Sequence, residues 1–320
     1  MRLRILAAAL LAGCSSLPAI GVPQATQAVA APSAARYSAA GLVYAFGSFK
    51  AGNAAILAYP GGKLVNTFST GLGFGSVCSD NRGNVFVGGE AVSAAPVIAK
   101  YHYGATSPSK TVAFGSNGGV VSCTVDSATN DVAGVVEYGS SDYSVAVLPH
   151  FQHHPKVYRD AAIPIFLSVG YDGGGNLFLL GTNASRRTSL LAELPRGRDS
   201  FRAISLKLPS GRVRTVAWDG AELTLEGNYQ ALRAKSWPQV VYQLRISGTK
   251  AAIVKTIDFD GVDRSNKPPA STIAPALGIM AVPAGDIRIW GYPSGGKMIA
   301  TFHTGVGPTY TATVAARSSQ

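Results

Sequence analysis

The sequence predicts an all-β fold built from six similar four-stranded units, and three observations lead to this prediction. Short runs rich in Val, Ile, Leu, Phe and Tyr alternate with Gly, Ser, Asn and Pro clusters, which is typical of short strands joined by turns. The chain contains 37 glycines, and only 14% of its residues are charged. The third observation is an internal repeat, and at 320 residues the chain is long enough to bury a sizeable core.

The repeat is marked first by an aspartate that ends one strand and precedes a Gly-Asn turn and a returning apolar strand. Its clearest copies are VCSDNRGNVFVGG, at residues 77–89, and VGYDGGGNLFL, at residues 169–179. The marking aspartates are Asp80, Asp126, Asp172 and Asp219, which lie 46, 46 and 47 residues apart. Asp accepts hydrogen bonds from nearby amides, and Gly and Asn tolerate positive φ, so the pattern predicts a hairpin turn.

A second marker lies in the other half of each unit. The segment ILAYPGGK ends at Lys63, and IWGYPSGGK ends at Lys297, 234 residues later, which is five periods of 46.8 residues. A period of 46.8 residues places four further positions between these two lysines, and Lys110, Lys156, Arg202 and Lys250 lie at or near them. The chain therefore contains six units.

Each unit has room for four short strands, and such a sheet cannot bury both of its faces alone. Six units stacked around an axis bury them against one another, so the predicted architecture is a six-bladed β-propeller over residues 41–317. The last strand, residues 309–315, occupies the position in the repeat that precedes an aspartate turn. The first strand, residues 42–49, occupies the position that follows such a turn. One blade is therefore expected to join the C-terminal strand to three N-terminal strands, which removes free sheet edges.

The spacing of these motifs over residues 42–315 resembles that of NHL-type and gluconolactonase/regucalcin-like six-bladed propellers. The resemblance implies ligand binding at the mouth of the central channel, where the lactonases hold a divalent metal with a Glu, two Asn and an Asp. Here the predicted innermost strands begin with small or apolar residues instead: Gly75-Ser76, Gly119-Val120, Ile165-Phe166, Val213, Thr272 and Thr309. The metal set cannot be assembled from them, and fold by itself does not give function.

The N-terminus carries an export signal. Arg2 and Arg4 precede a short apolar run that ends in Leu-Ala-Gly-Cys14, which resembles the lipobox of bacterial lipoproteins. The resemblance implies a signal peptide at residues 1–13, lipidation of Cys14, and a flexible tether at residues 14–40 that is rich in Pro and uncharged between residues 15 and 35. By the same resemblance, Ser15 after the cysteine implies sorting to the outer membrane of a bacterial envelope, facing the periplasm or the cell surface. An ordinary secretory signal with a chance cysteine is the alternative.

Charge and cysteine usage limit the partners. Without residues 1–13 the chain has 26 basic and 17 acidic residues, a balance of +9, which favours an anionic envelope partner or a generally basic solvated surface. Export argues against nucleic acid, and we expect a monomer. Cys78 and Cys123 occupy equivalent strands of neighbouring units in an oxidising compartment, so a disulfide is one expectation. The alternative is that both cysteines are small, unbonded, buried residues. It stays open because Cys78 and Cys123 differ by one residue in their distance to the following aspartate, which can turn the two side chains to opposite sides.

Two residue groups are weak metal candidates. Asp258, Asp260 and Asp263, with Asn266, are expected in one loop, where their oxygens either bind Ca²⁺ or form a solvated acidic loop. No other cofactor is predicted. His150, His153 and His154 are expected on an outer turn between a third and a fourth strand, either as Zn²⁺ or Cu²⁺ ligands or as an exposed turn.

A basic and aromatic group is the predicted ligand face. It lies in two second-to-third-strand loops of neighbouring blades and consists of Arg186, Arg187, Tyr229, Arg233, Lys235 and Trp237. Arginine binds phosphate or carboxylate, and aromatic rings stack on sugars; two long solvated loops are the alternative. The sequence thus favours a non-catalytic binding or scaffolding module for a protein or glycan. The other hypothesis is a metal-dependent lactonase or lyase that acts on sugar-like substrates.

Overall fold

The computed structural model describes residues 41–47, 52–139, 142–160, 162–183, 188–209, 212–228, 239–260 and 271–316. These residues form 24 β-strands and two single-turn 3-10 helices, Pro149–Phe151 and Pro275–Leu277. No helix among them is both long and apolar enough to cross a bilayer. The predicted signal peptide and tether, with Cys14, lie outside the described residues.

The strands form six four-stranded antiparallel blades, as the repeat predicts. Blade one contains β1 (Gly41–Phe46), β2 (Asn53–Tyr59), β3 (Leu64–Ser69) and β24 (Thr311–Ala316). Blade two contains β4 (Gly73–Ser79), β5 (Val85–Glu90), β6 (Pro96–Tyr101) and β7 (Lys110–Ala113). Blade three contains β8 (Gly119–Val125), β9 (Val132–Glu137), β10 (Tyr143–Leu148) and β11 (Lys156–Tyr158).

The second half of the ring continues this order. Blade four contains β12 (Ile165–Tyr171), β13 (Leu177–Asn183), β14 (Thr188–Leu194) and β15 (Arg202–Leu206). Blade five contains β16 (Arg212–Trp218), β17 (Leu223–Asn228), β18 (Gln239–Ser247) and β19 (Lys250–Phe259). Blade six contains β20 (Thr272–Ala274), β21 (Ile279–Ala284), β22 (Asp286–Gly291) and β23 (Met298–Phe302).

The two ends of the chain meet in blade one. The C-terminal β24 pairs antiparallel with β1, from Gly41 opposite Ala316 to Phe46 opposite Thr311. The predicted closure by the C-terminal strand is therefore confirmed. Without it, β1 and β24 would each have a free edge where they now pair with each other.

The repeated aspartates stabilise the hairpin turns between first and second strands. In blade four, Asp172 Oδ1 accepts from the Gly174 and Asn176 amides at 2.9 and 2.8 Å, and its Oδ2 accepts from Asn176 Nδ2 at 2.9 Å. Gly175 has φ +79°, which L side chains rarely adopt, so the turn requires glycine there. Asp80 makes the equivalent three bonds in blade two. The predicted turn chemistry is confirmed.

A seam, as we use the word, is the surface between two consecutive blades. The buried apolar residues form six clusters, and each cluster fills one seam. The stacking that the sequence predicts thus has its core between the blades rather than inside any one of them.

Hydroxyl groups bind the inner edges of the blades, where the innermost strands have no neighbouring strand to pair with. Ser and Thr hydroxyls bond main-chain groups of the next innermost strand at five of the six seams. The pairs are Ser76 Oγ with Val120 O at 3.5 Å, Ser79 Oγ with Val314 O at 3.1 Å, Ser122 Oγ with Val169 N at 3.3 Å, Ser168 Oγ with Val216 N at 3.3 Å, and Thr272 Oγ1 with Ala312 O at 2.6 Å.

One pairing is not predicted by the repeat. The outer strands of blades four and five run parallel for two residue pairs, Ser205 with Lys250 and Leu206 with Ala251. The pairing involves the start of β19, which with β18 forms the longest hairpin described, and the Ser205 amide donates to Thr249 O at 2.8 Å beside it.

Candidate functional site

The loop face of the propeller is the end at which second strands connect to third strands and fourth strands connect to the next blade. The sequence analysis assigns the predicted ligand-face residues to this end. Arg186 and Arg187 follow β13, and the segment with Tyr229, Arg233, Lys235 and Trp237 joins β17 to β18. The six side chains lie outside the described residues, so the ligand face itself stays a prediction.

The three predicted metal-binding aspartates do not share one loop. Asp258 lies inside β19, opposite Val240, so this part of the prediction is wrong. Asp260 follows in a turn, where its amide donates to Gly296 O at 2.8 Å and its carbonyl accepts from Trp290 Nε1 at 3.0 Å. The strand is longer than predicted because the turn of blade six pairs with it. Asp263 lies outside the described residues.

The histidine segment connects β10 to β11, a third and a fourth strand, as predicted, and this places it at the end opposite the loop face. The His150 amide donates to Asp131 Oδ1 at 2.9 Å, and His150 Nδ1 lies 2.8 Å from Thr129 O. These contacts tie the turn to the neighbouring aspartate hairpin. In the described part of the chain, no three His, Cys, Asp or Glu side chains are grouped so that they could hold a metal ion.

Cys78 and Cys123 are bonded in the structure, with their Cα atoms 5.7 Å apart. The bond joins the innermost strands of blades two and three. Cys78 precedes its turn aspartate by two residues and Cys123 precedes its own by three. This difference turns the two side chains toward opposite faces of their blades, and neighbouring blades present opposite faces to a shared seam. The register difference that argued against a bond is therefore what allows it.

A small cleft opens on the loop face between blades one and two. Its wall is made mostly of glycines and apolar side chains, including Phe46, Leu72 and Val87. A Cβ at Gly75 would lie 1.6 Å from Gly88 O, so the wall depends on close backbone contact that only glycine permits.

The sequence analysis missed a buried carboxyl group at the loop-face end of the seam between blades five and six. Glu226 lies in β17 and is 1% exposed. Burial raises the pKa of the Glu226 carboxyl well above its usual value. Its neighbours are Gln239, the first residue of β18, and Ser271, which precedes β20. The available signal was one acidic residue within LTLEG, since glutamate in an otherwise buried strand is unusual.

A second polar cluster lies at the opposite end of the same seam. Asp219 Oδ1 accepts from the amides of Ala221 and Glu222 at 2.9 and 2.7 Å. Its Oδ2 accepts from Gln243 Nε2 at 2.6 Å and from the Tyr292 hydroxyl of blade six. Burial and the contact with Asp219 raise the pKa of Tyr292, so the phenol stays a hydrogen-bond donor.

Together the six blades, their closure and the loop-face cleft define a β-propeller. No protein family model matches the chain. No curated protein matches it either.

Solved structures do share the fold. A chain of the nidogen/laminin complex is similar with a TM-score of 0.60 and 12% identity, over 86% of this chain and 98% of that one. TolB from Acinetobacter baumannii has a TM-score of 0.59 and 12% identity, over 88% of this chain and 67% of its own. The periplasmic gluconolactonase PpgL from Pseudomonas aeruginosa has a TM-score of 0.52 and 12% identity, over 87% and 100%. At such identity the similarity establishes the fold alone.

Proposed function

We propose that this chain is a lipid-anchored propeller of the bacterial envelope that binds a protein or glycan partner through its loop face without catalysing a reaction. The observation that carries the proposal is the use of polar groups around the central channel. The hydroxyls of Ser76, Ser122 and Ser168 are engaged in bonds between blades, and the inner strands begin with Gly, Ile or Thr except for β16, which begins with Arg212. These groups support a rigid scaffold.

The charge of the chain supports an anionic partner. The formal balance of +9 after removal of residues 1–13 gives attraction to lipid phosphates or acidic polysaccharides. In this proposal Arg186, Arg187, Arg233 and Lys235 bind the anionic groups of the partner, and the rings of Tyr229 and Trp237 stack on its sugars. The glycine-lined cleft on the same face adds a second, apolar contact area.

Lipopolysaccharide and an acidic polysaccharide such as alginate are the probes that test partner binding. We expect the full-length protein in detergent to bind one of them, and Arg186→Ala/Arg187→Ala to weaken that binding about tenfold or more, because each Arg supplies charge-assisted hydrogen bonds. The matched control is Arg196→Ala/Arg198→Ala, which removes two exposed arginines from the β14–β15 turn at the opposite end. An equal loss of polyanion affinity in both variants would mean that only the net charge of the protein matters, and this would contradict a ligand face.

The enzyme hypothesis is tested on the same preparation. Elemental analysis that finds one metal per chain, together with hydrolysis of sugar lactones, would replace the binding proposal with a metal-dependent lactonase. A metal-free, inactive protein that still binds the polyanion supports the proposal.

Anchoring is tested separately at Cys14. We expect the wild-type chain to incorporate palmitate and to fractionate with membranes, because more than one acyl chain is needed for durable attachment. Cys14→Ser should incorporate no palmitate and should leave the membrane fraction. A Cys14→Ser variant that stays membrane-bound would contradict the lipoprotein assignment.

A further inference from the structure

The loop-face end of the seam between blades five and six contains three buried polar side chains from three different strands or their ends. Glu226 and Gln239 are each 1% exposed, and Ser271 is 5% exposed. Gln239 and Asn228 are opposite each other in the β17–β18 ladder, so Glu226 and Gln239 lie on the same face of blade five. Ser271 approaches them from blade six.

Hydrogen bonds within this group leave two oxygens without partners. The Ser271 hydroxyl donates to Glu226 Oε2, and Gln239 Nε2 donates to Ser271 Oγ at 3.2 Å. Glu226 Oε1 and Gln239 Oε1 are fully buried and have no hydrogen-bond partner in the part of the chain that the structure describes. Both atoms are acceptors, so neither can satisfy the other unless a proton or a cation lies between them.

At the opposite end of the same seam, the buried carboxylate is fully hydrogen-bonded. There both carboxylate oxygens of Asp219 accept two hydrogen bonds each, from Ala221, Glu222, Gln243 and Tyr292. Buried polar groups in proteins are satisfied as a rule, and an exception calls for a specific explanation. The contrast within one seam therefore singles out the loop-face cluster.

The chemistry of the cluster selects the kind of ligand. A carboxylate, an amide carbonyl and a hydroxyl are hard oxygen donors of the type that binds Ca²⁺ or Na⁺, and no nitrogen or sulfur ligand accompanies them. The single negative charge of Glu226 would neutralise Na⁺, whereas Ca²⁺ would keep one positive charge beside the two neutral oxygen donors.

We propose that Glu226, Gln239 and Ser271 form a binding site for a hard cation at the loop-face end of the seam between blades five and six. Cation and proton compete there, because the cation needs the ionised carboxylate, whereas burial favours the protonated one. The site does not depend on the proposed partner binding. It is nevertheless next to the predicted ligand face in the chain, since Glu226 precedes Tyr229 by three residues and Gln239 follows Trp237 by two.

Thermal unfolding of the full-length protein in detergent, after treatment with chelator, tests the site. We expect CaCl2 or NaCl to raise Tm saturably compared with choline chloride at the same ionic strength, because a ligand that binds only the folded state stabilises it. The shift should be larger at pH 8 than at pH 5.5, since the proton competes less. Glu226→Gln, which keeps the shape of the side chain and removes its charge, should lose the shift at both pH values.

Asp258→Asn/Asp260→Asn is the matched control, and it should keep the full cation shift. If Glu226→Gln fails to fold, as judged by circular dichroism, Gln239→Met takes its place and should raise the midpoint cation concentration by roughly tenfold. The proposal is overturned if no saturable shift occurs, if Glu226→Gln keeps it, or if the aspartate control loses it. A Tm that depends on pH but not on cations would also overturn it, since a proton would then occupy Glu226.

Discussion

Two seams of the same propeller are stabilised in different ways. The seam between blades two and three contains the Cys78–Cys123 bond and an apolar cluster around Phe86, Ile98 and Val120. The seam between blades five and six has an apolar centre around Trp290 and Met280, with a buried carboxyl group at each end. The first seam depends on a covalent link, and the second depends on the hydrogen-bond partners of Asp219 and on the protonation of Glu226.

This difference indicates which part of the ring responds to its surroundings. Apolar contacts and a disulfide vary little with pH or salt, whereas a buried carboxyl group stabilises or destabilises according to its charge. The responsive seam is the one whose loop-face end is joined to residues 229–238 and 261–270. We therefore expect changes in ions or pH to reach the loop face through blades five and six.

Removal of the disulfide is the largest expected effect. Cys78→Ala/Cys123→Ala should lower the free energy of unfolding by roughly 4 kcal/mol, because the bond closes a chain segment of 45 residues. Urea unfolding followed by circular dichroism measures the loss. Reductant should shift the wild type by a similar amount and leave the variant unchanged, and Cys14→Ser serves as the control for the third cysteine. Identical midpoints with and without reductant would show that the seam needs no covalent link.

Asp219→Ala should cost more than Asp172→Ala, although both residues cap the same type of turn. We expect losses of roughly 3 and roughly 1 kcal/mol, because only Asp219 leaves donors of another blade and strand, Tyr292 and Gln243, without an acceptor in a buried place. Urea unfolding of the two variants measures the difference. Equal losses would mean that Asp219 contributes within its turn alone and does not join the blades.

Glu226→Gln should change the pH dependence of stability. The pKa of Glu226 is raised in the folded state, so its stabilising contribution is complete below the unfolded pKa of about 4.5 and is lost as pH rises through the folded value. In chelator, the variant should be more stable than the wild type at pH 8 and should approach it near pH 4.5. Tyr292 lies at the opposite end of the seam, where burial and Asp219 raise its pKa most and the charge of Glu226 adds a smaller effect.

Parallel stability curves for wild type and Glu226→Gln from pH 4.5 to 8 would contradict a buried carboxyl group with a raised pKa. The experiment requires chelated buffers, because a bound cation would favour the charged carboxylate and flatten the wild-type curve.

A second hydrogen bond from a phenol to a carboxyl group, from Tyr143 to Glu137, is more exposed than the one from Tyr292 to Asp219, and we expect it to have the smallest effect. Partial burial, then the hydrogen bond to Glu137 and its charge, raise the pKa of Tyr143 to about 12. Its contribution to stability should therefore be constant below pH 10 and be lost as pH rises through about 12. Difference absorbance at 295 nm, with Tyr143→Phe to assign the signal, should show Glu137→Gln moving this pKa toward 10. An unchanged value would assign the shift to burial alone.

The sequence predicts the blade count and the turns because both depend on local chemistry repeated at a constant period. Asp80 and Asp172 bond to amides two and four residues away, so their role can be inferred from neighbours in the chain. The loop placement of Asp258 was wrong because the length of β19 depends on the blade-six turn that pairs with it. Glu226 was missed because its partners, Gln239 and Ser271, are separated from it by segments whose course no local pattern specifies.

What the sequence determined by itself is the period, the strand order within a blade and the closure of the ring, because each follows from residues close in the chain or from the phase of the two ends. Only the tertiary structure decided which side chains meet across a seam. Cys78 meets Cys123, and Tyr292 meets Asp219, over separations of 45 and 73 residues. Those meetings depend on how one blade is rotated against the next, and that rotation is set by the packing of the whole ring.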